Sequence, residues 1–159
     1  MTDFSLADQL QDAFLDRTAR VGIVGQGYVG LPLALIFAEA GLQVVGFDTD
    51  PVKIECLNAG RSFIKHIGPD RIRAAVASGA YRASGDFDEL ESCDAILICV
   101  PTPLGPHREP DNSYIHRTGH DIARRLRPGQ LIVLESTTYP GTTTQELLPI
   151  LQDGSGLVA

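Results

Sequence analysis

The sequence predicts an α/β fold: a doubly wound parallel sheet in a three-layer α/β/α arrangement. Three observations carry that expectation. Apolar runs of strand length alternate with helical patterns, as successive βα units do. The runs are apolar at nearly every position, as strands buried on both faces are. A glycine-rich turn, "GQGYVG", joins the first run to the first helix. With 159 residues, 43% of them hydrophobic, the chain has enough apolar material for one core and about the length of one domain.

Residues 1–19 are expected to form an amphipathic segment, with Phe4, Leu6, Leu10 and Phe14 on an acidic background, that packs on the domain or on a neighbour. The domain proper spans 20–159. "RVGIVG" (Arg20 to Gly25) is the first strand. In "LPLALIFAEAG", Leu31, Ala34, Leu35 and Ala38 recur at i, i+3, i+4 and i+7, which predicts a helix stopped by Gly41. "QVVGFD" is a second strand ending at Asp48, and "TDPVKIECLNAG" a helix with Asp50 as N-cap, Pro51 at its first position and Gly60 beyond its end. A loop "RSFIKHIG" precedes a helix through "PDRIRAAVASG". Then come a short strand near "YRAS", a helical turn "DFDELES" and the strand "DAILICV". The polar loop "PTPLGPHREPDN" is longer than most βα connections and so is functional or mobile by default. After it follow a helix "SYIHRTGHDIARRL", the turn "RPGQ", the strand "LIVLES", a helix from about Thr142 to Leu151, and "GSGLVA", read as the run toward a sixth strand.

Composition narrows the function classes. A formal charge of −7 argues against a nucleic-acid partner, and no apolar window reaches the eighteen residues of a membrane span, so the chain reads as soluble and cytoplasmic. Cys56, Cys93 and Cys99 are odd in number and lack a CxxC spacing, so neither zinc nor a disulfide is expected. Cys99, inside "AILICV", reads as a small buried hydrophobe. On the fifth helix His116 and His120 stand at i and i+4, a spacing compatible with a metal. No glutamate of an H-E-x-x-H pattern or third ligand accompanies them, and the expectation is two solvated histidines.

The glycines Gly25, Gly27 and Gly30 match G-x-G-x-x-G between a strand and a helix, the setting that makes this motif specific for a dinucleotide of the Rossmann type. Gly25 permits the tight turn, Gly27 lets a pyrophosphate approach the backbone, and Gly30 lets the helix pack closely on the strand. The helix N-terminus offers N–H groups and partial positive charge to the phosphates. An acidic residue is due about twenty positions on to accept the ribose hydroxyls, and Asp48 occupies that place. Its carboxylate would repel a 2′-phosphate, which favours NAD over NADP, although Lys53 tempers the preference. Thr102 follows the fourth strand at the sheet's carboxyl end, between Pro101 and Pro103, where open α/β sheets bind ligands.

With "VGIVGQGYVGLPLA", "GFDTDPVKIECLNAG", "CVPTPL", "REPDNSY" and "LESTTYPGTT", nearly all of residues 20 to 151 resembles the UDP-glucose/GDP-mannose dehydrogenase family of nucleotide-sugar 6-dehydrogenases, in its N-terminal NAD-binding domain. "RSFIKHI" together with "PTPL" and "REPDNSY" looks most like the branch acting on UDP-N-acetylhexosamines, the UDP-N-acetylglucosamine 6-dehydrogenases. The resemblance implies oxidation of the C6 alcohol of a UDP-sugar, UDP-N-acetylglucosamine or UDP-N-acetylmannosamine, to the uronate in two NAD-dependent steps for surface polysaccharide precursors. It also implies that a catalytic cysteine, a linker helix and a UDP-sugar domain lie outside this chain, that the fragment alone is inactive, and that the full-length protein is a homo-oligomer. In the glycine loop Tyr28 and Val29, then Asp48, Lys53 and Thr102, match cofactor-contacting positions.

"LESTTYPGTTTQE", Leu134 to Glu146, holds five threonines and one serine where a strand ends and a helix begins. Small hydroxyls there can bond ribose, phosphate or water without adding charge. The resemblance implies that one of them positions the nicotinamide end and a catalytic water; Thr137 is the first choice, Thr138 the alternative, and Thr142 a further cofactor contact. Arg108 and Glu109 could order the mouth of the site. Two other readings stand beside this one: a stand-alone dinucleotide-binding module without catalysis, and a β-hydroxyacid dehydrogenase of the 6-phosphogluconate type, which shares the glycine loop and lacks "ESTTYPGTT".

Overall fold

Five strands, β1 (Arg20–Val24), β2 (Gln43–Phe47), β3 (Tyr81–Ser84), β4 (Ala95–Ile98) and β5 (Leu131–Leu134), form one parallel sheet in the order β3-β2-β1-β4-β5. This computed structural model describes residues 5–105 and 110–159. Phe4, Arg108 and Glu109, named above, lie outside the described residues. β1 is central, and the chain leaves it in one direction toward β2 and β3 and in the other toward β4 and β5. The reversal falls between β1 and β4, where open parallel sheets leave a crevice beyond the carboxyl ends of their strands.

Both faces are covered, which is why the strands are continuously apolar. On one face Val21, Ile23, Val44 and Leu97 pack with Leu31, Ala34 and Leu35 of α2 (Gly30–Glu39), with Leu57 of α3 (Pro51–Asn58) and with Ile72 of α4 (Pro69–Ala77). On the other face Val45, Phe47, Ile96 and Ile98 pack with Leu90 of the 3₁₀ segment Phe87–Ser92, with Ile115 and Ile122 of α5 (Ser113–Ala123), and with Leu151 of α6 (Leu148–Ser155). Each fully buried side chain of this size contributes roughly 1.5–3 kcal/mol of transfer free energy.

The helix signals hold where they were strongest. The Asp50 carboxylate accepts the Val52 N–H at 2.9 Å and Pro51 opens α3. Gly41 and Gly60 take the left-handed conformation, φ +92° and +69°, past the ends of α2 and α3. The N-terminal helix α1 (Leu6–Leu15) begins with a reciprocal box in which Ser5 and Asp8 exchange bonds of 3.1 and 3.2 Å. Its packing is slighter than its amphipathic pattern suggests: Ala13 and Phe14 lean on the core, while Leu6 and Leu15 are exposed.

Two expectations near the C-terminus are corrected. The helix forecast from Thr142 begins as a π-helical stretch, Thr142–Leu147, entered through Gly141 at φ +99°, and only then becomes α6. In "GSGLVA", Gly154 and Ser155 finish α6, Gly156 turns the chain at φ +72°, and the remaining residues form no strand. A Cβ on Gly154 would lie 2.6 Å from the Ala123 side chain, so close helix packing claims this glycine.

At the β3 margin Glu89 gathers Arg82, Arg20 at 3.9 Å and the Ser84 hydroxyl at 2.7 Å. The Arg82 hydrogen bond, opposed by burial and supported by Ser84, holds the Glu89 carboxyl down at about 2. A carboxyl depressed in the folded state adds stability above its ordinary value of 4.5 and loses it as pH falls toward about 2. Glu89→Gln is therefore expected to lower the thermal midpoint near neutral pH and to flatten its decline between those two values; a wild-type and variant decline of equal slope would show that Glu89 carries none of it.

Candidate functional site

A cavity of about 650 Å³ opens at the carboxyl edge of the sheet, over the β1/β4 reversal. Its floor is the glycine loop, and the reasons for the three glycines differ. A Cβ on Gly30 would lie 1.9 Å from the Gly25 carbonyl oxygen, and one on Gly25, which has φ +95°, would lie 2.5 Å from the Cys99 carbonyl oxygen. Both glycines are demanded by the packing of α2 and β4 on the turn. A Cβ on Gly27 would meet nothing within 4 Å. Gly27 faces open space in the cavity, so its missing side chain leaves room for something outside the fold.

Asp48 closes the β2 end. It is 7% exposed, and its carboxylate accepts the Gln26 N–H and the Asp50 N–H at 3.0 Å each and the Lys53 ammonium at 3.3 Å. Lys53 also stands 5.8 Å from the centre of the Phe63 ring. Tyr28 and Val29 are exposed on the loop, and Tyr28 stacks on His66 with ring centres 5.8 Å apart.

The opposite end is built from the ends of β4 and β5. Thr102 and Thr137 line the cavity, Thr137 exposed and Thr102 half-buried. Between them Ser136 is spent on structure: its hydroxyl donates to the Ile98 and Val100 carbonyls at 3.2 and 2.9 Å and ties the two strand ends together. β2 and β5 are three strand spacings apart, about 14 Å. The cavity thus joins the Asp48 carboxylate at one end to hydroxyls at the other, with Glu135 beside them, an arrangement for an elongated ligand.

The threonines of "ESTTYPGTTT" divide. Thr138 donates to Asn112 Oδ1 at 3.1 Å and stands 2.8 Å from the Thr142 hydroxyl. Thr142 is 1% exposed, donates to the Tyr139 carbonyl at 3.0 Å and does not line the cavity. The Thr142 hydroxyl closes the turn from within. Thr137, not Thr138, lines the cavity.

Sequence reasoning missed the cluster that holds this turn from outside. Glu146 receives the Tyr139 hydroxyl, the Asn112 amide at 3.1 Å and His116 Nε2 at 2.6 Å. The Tyr139 hydrogen bond, with those of His116 and Asn112 and against burial, holds the Glu146 carboxyl below its ordinary range. His116 thus belongs to a carboxylate, and His120 is exposed. Among the described residues no three histidine, cysteine or acidic side chains gather as a metal site. Asn112 faces this cluster, so the start of α5 is capped by Asp111, whose carboxylate accepts the Ser113 N–H at 2.9 Å. Cys99 lies beneath the loop, its thiol pushed up to about 11 by burial and by the charge of Glu135, so it stays protonated at neutral pH.

The sequence model of the UDP-glucose/GDP-mannose dehydrogenase family, NAD binding domain, matches residues 19–158. The chain belongs to that family. The family's NAD-binding domain is what these residues form, and the reading as a 6-phosphogluconate-type enzyme falls away. Similar proteins include the NDP-N-acetyl-D-galactosaminuronic acid dehydrogenase of Ralstonia nicotianae, 41% identical over 79% of this chain and 29% of its own length. The UDP-N-acetyl-D-glucosamine 6-dehydrogenase of Pseudomonas aeruginosa is 33% identical over 87% of this chain and 32% of its length. The crystal structure of NDP-N-acetyl-D-galactosaminuronic acid dehydrogenase from Methanosarcina mazei superposes with a TM-score of 0.83 at 33% identity, over 94% of this chain and 34% of that one. The chain spans about a third of the length of these relatives. The site fits NAD on its own geometry: the open space at Gly27 suits a diphosphate at a helix N-terminus, and Asp48 suits ribose hydroxyls.

Two alanine substitutions separate fold from ligand. Gly27→Ala is expected to leave stability within about 0.5 kcal/mol of wild type and to weaken NAD binding roughly tenfold. Gly30→Ala is expected to cost about 3 kcal/mol or more, because backbone must move. Thermal unfolding and calorimetric titration with NAD read both; equal NAD affinity in Gly27→Ala and wild type would remove the phosphate from this loop.

Proposed function

We propose that the protein to which this chain belongs oxidises the C6 alcohol of a UDP-N-acetylhexosamine, UDP-N-acetylglucosamine or UDP-N-acetylmannosamine, to the uronate. The product serves as a precursor of surface polysaccharide. The observation that carries the reading is the pairing of a glycine loop shaped for NAD with an uncharged hydroxyl, Thr137, at the far end of the same cavity. Relatives named for N-acetylated sugars support the substrate class.

The conversion of alcohol to carboxylate removes four electrons and consumes one water, so two NAD molecules are reduced per sugar. NAD supplies the hydride acceptor in each step. The residues of this chain hold and orient. Asp48 fixes the adenosine ribose, and Gly27 and the α2 N-terminus admit the diphosphate. Tyr28, Val29 and Lys53 border that end, and Thr102 and Thr137 line the nicotinamide end. A neutral hydroxyl at Thr137 can hold a water against the reacting carbon without adding a charge that would oppose hydride departure.

Capture of the aldehyde needs a thiolate, and the cysteines here do not offer one at the cavity. Burial pushes the Cys93 and Cys99 thiols to about 11 each, and Cys56 does not line the cavity. The nucleophile belongs to the part of the protein that carries the sugar site, and the full-length protein works as a homo-oligomer in the cytoplasm. Three free thiols accord with a reducing compartment.

With the full-length protein, NADH release is expected with UDP-N-acetylglucosamine or UDP-N-acetylmannosamine, two NADH per sugar, and no turnover from residues 1–159 alone. Thr137→Ala is expected to lower kcat by about tenfold to a hundredfold with NAD affinity nearly kept. Absence of turnover with any nucleotide sugar would refute the activity, and an unchanged kcat would remove Thr137 from it.

A further inference from the structure

Between the first two glycines of the loop stands a side chain that spacing alone leaves blank. Gln26 is fully buried. Its amide runs beneath the loop and across β2, where a Cβ on Gly46 would lie 2.4 Å from both Cδ and Oε1. Gly46 is therefore a glycine to make room for Gln26, not for the cofactor. The amide is satisfied at both ends: Nε2 donates to the Ile23 carbonyl at 2.9 Å, and Oε1 accepts the Tyr81 hydroxyl at 2.8 Å. Tyr81 comes from β3, two strands away from the loop, and is 1% exposed. Burial and the nearby charge of Asp48 hold its phenol far above the ordinary range, so it is a permanent donor.

The backbone of the same residue then completes a line. Gln26 N–H donates to Asp48 Oδ2 at 3.0 Å. Of the groups that hold Asp48, the Asp50 N–H is local to the turn after β2, and Lys53 is a half-exposed side chain at 3.3 Å. Gln26 alone among these three reaches Asp48 from β1's loop through buried atoms. Register along Tyr81, Gln26 and Asp48 thus spans three strands and ends on the carboxylate that faces the cavity.

We propose that Gln26, backed by Tyr81, is a positioning residue for the cofactor: it fixes the glycine loop and the Asp48 carboxylate relative to each other, so that diphosphate and adenosine ribose are met by one rigid unit. The proposal rests on the assignment of Asp48 to the ribose. A packing role alone makes a different forecast. Methionine has nearly the volume of glutamine, and removing both partners of a buried hydrogen bond together costs little stability. In the double variant Q26M/Y81F the space is filled and no hydroxyl is stranded; only the Ile23 carbonyl loses its Gln26 donor.

Residues 1–159 are titrated with NAD by calorimetry, alongside thermal unfolding. Wild type is expected to bind and Asp48→Ala to bind more weakly. Q26M/Y81F is expected to unfold within a few degrees of wild type yet bind NAD about fivefold more weakly, the size of one hydrogen bond's net contribution. In the Asp48→Ala background the same pair of changes is expected to have almost no further effect. NAD affinity within twofold of wild type in Q26M/Y81F would overturn the proposal, as would an equal loss with and without Asp48. If the double variant does not fold, Tyr81→Phe alone decides: about threefold weaker binding that vanishes without Asp48 supports the proposal, and unchanged binding overturns it. Wild type that binds NAD with no loss on Asp48→Ala would remove the ribose assignment itself.

Discussion

The contact on which the rest depends is the close approach of the glycine loop to its own first residue and to the end of β4. With only hydrogens at Gly25 and Gly30, the start of α2 rests on the Gly25 carbonyl and the turn rests on the Cys99 backbone. Two hydrogen bonds fasten the same level of the sheet: Gly25 N–H to the Phe47 carbonyl and Cys99 N–H to the Val24 carbonyl, each 2.8 Å. Because β1 lies between β2 and β4, this one turn sets the height of the α2 N-terminus, of Asp48 and of Thr102 together. The cavity is the space left above it.

Around that turn the chain uses hydrogen bonds to place groups that lie on different strands. Ser136 ties the end of β5 to β4, Gln26 ties the loop to β2 and β3, and Glu146 ties the turn after Tyr139 to the start of α5. None of these residues brings a free charge into the cavity. The charges there are on Asp48 and Lys53, paired with each other, and on Arg117, Asp121 and Glu135, which also line it. Of these, Glu135 stands beside Ser136 and Thr137, so the hydroxyl end carries one carboxylate next to its hydroxyls.

Much of this was legible in the chain. The strands, the helix caps at Asp50 and Pro51, and the stops at Gly41 and Gly60 follow from short-range rules, because each depends on neighbours within a few residues. Gly25, Gly27, Gly30 and Asp48 were legible because their spacing is fixed by one βαβ unit. The inward placement of Thr142 was not legible because sequence shows a hydroxyl but not which way it turns; in the structure it is buried after the αL turn at Gly141. The end of α6 was misread as strand because the small residues of "GSGLVA" obey packing against Ala123, a contact made 31 positions earlier in the chain.

By itself the sequence determined the α/β class, the dinucleotide loop, the acidic partner and the family, all properties written in local pattern. Tertiary structure alone decided that Thr138 and Thr142 bond within the turn while Thr137 lines the cavity, that His116 serves Glu146, and that Gln26 and Tyr81 stand behind Asp48. The physical reason is range. Propensity, capping and glycine conformation act over a few residues, whereas Tyr81 and Gln26 are 55 positions apart and His116 and Glu146 30. Such pairs meet only after the sheet has brought their strands and helices side by side.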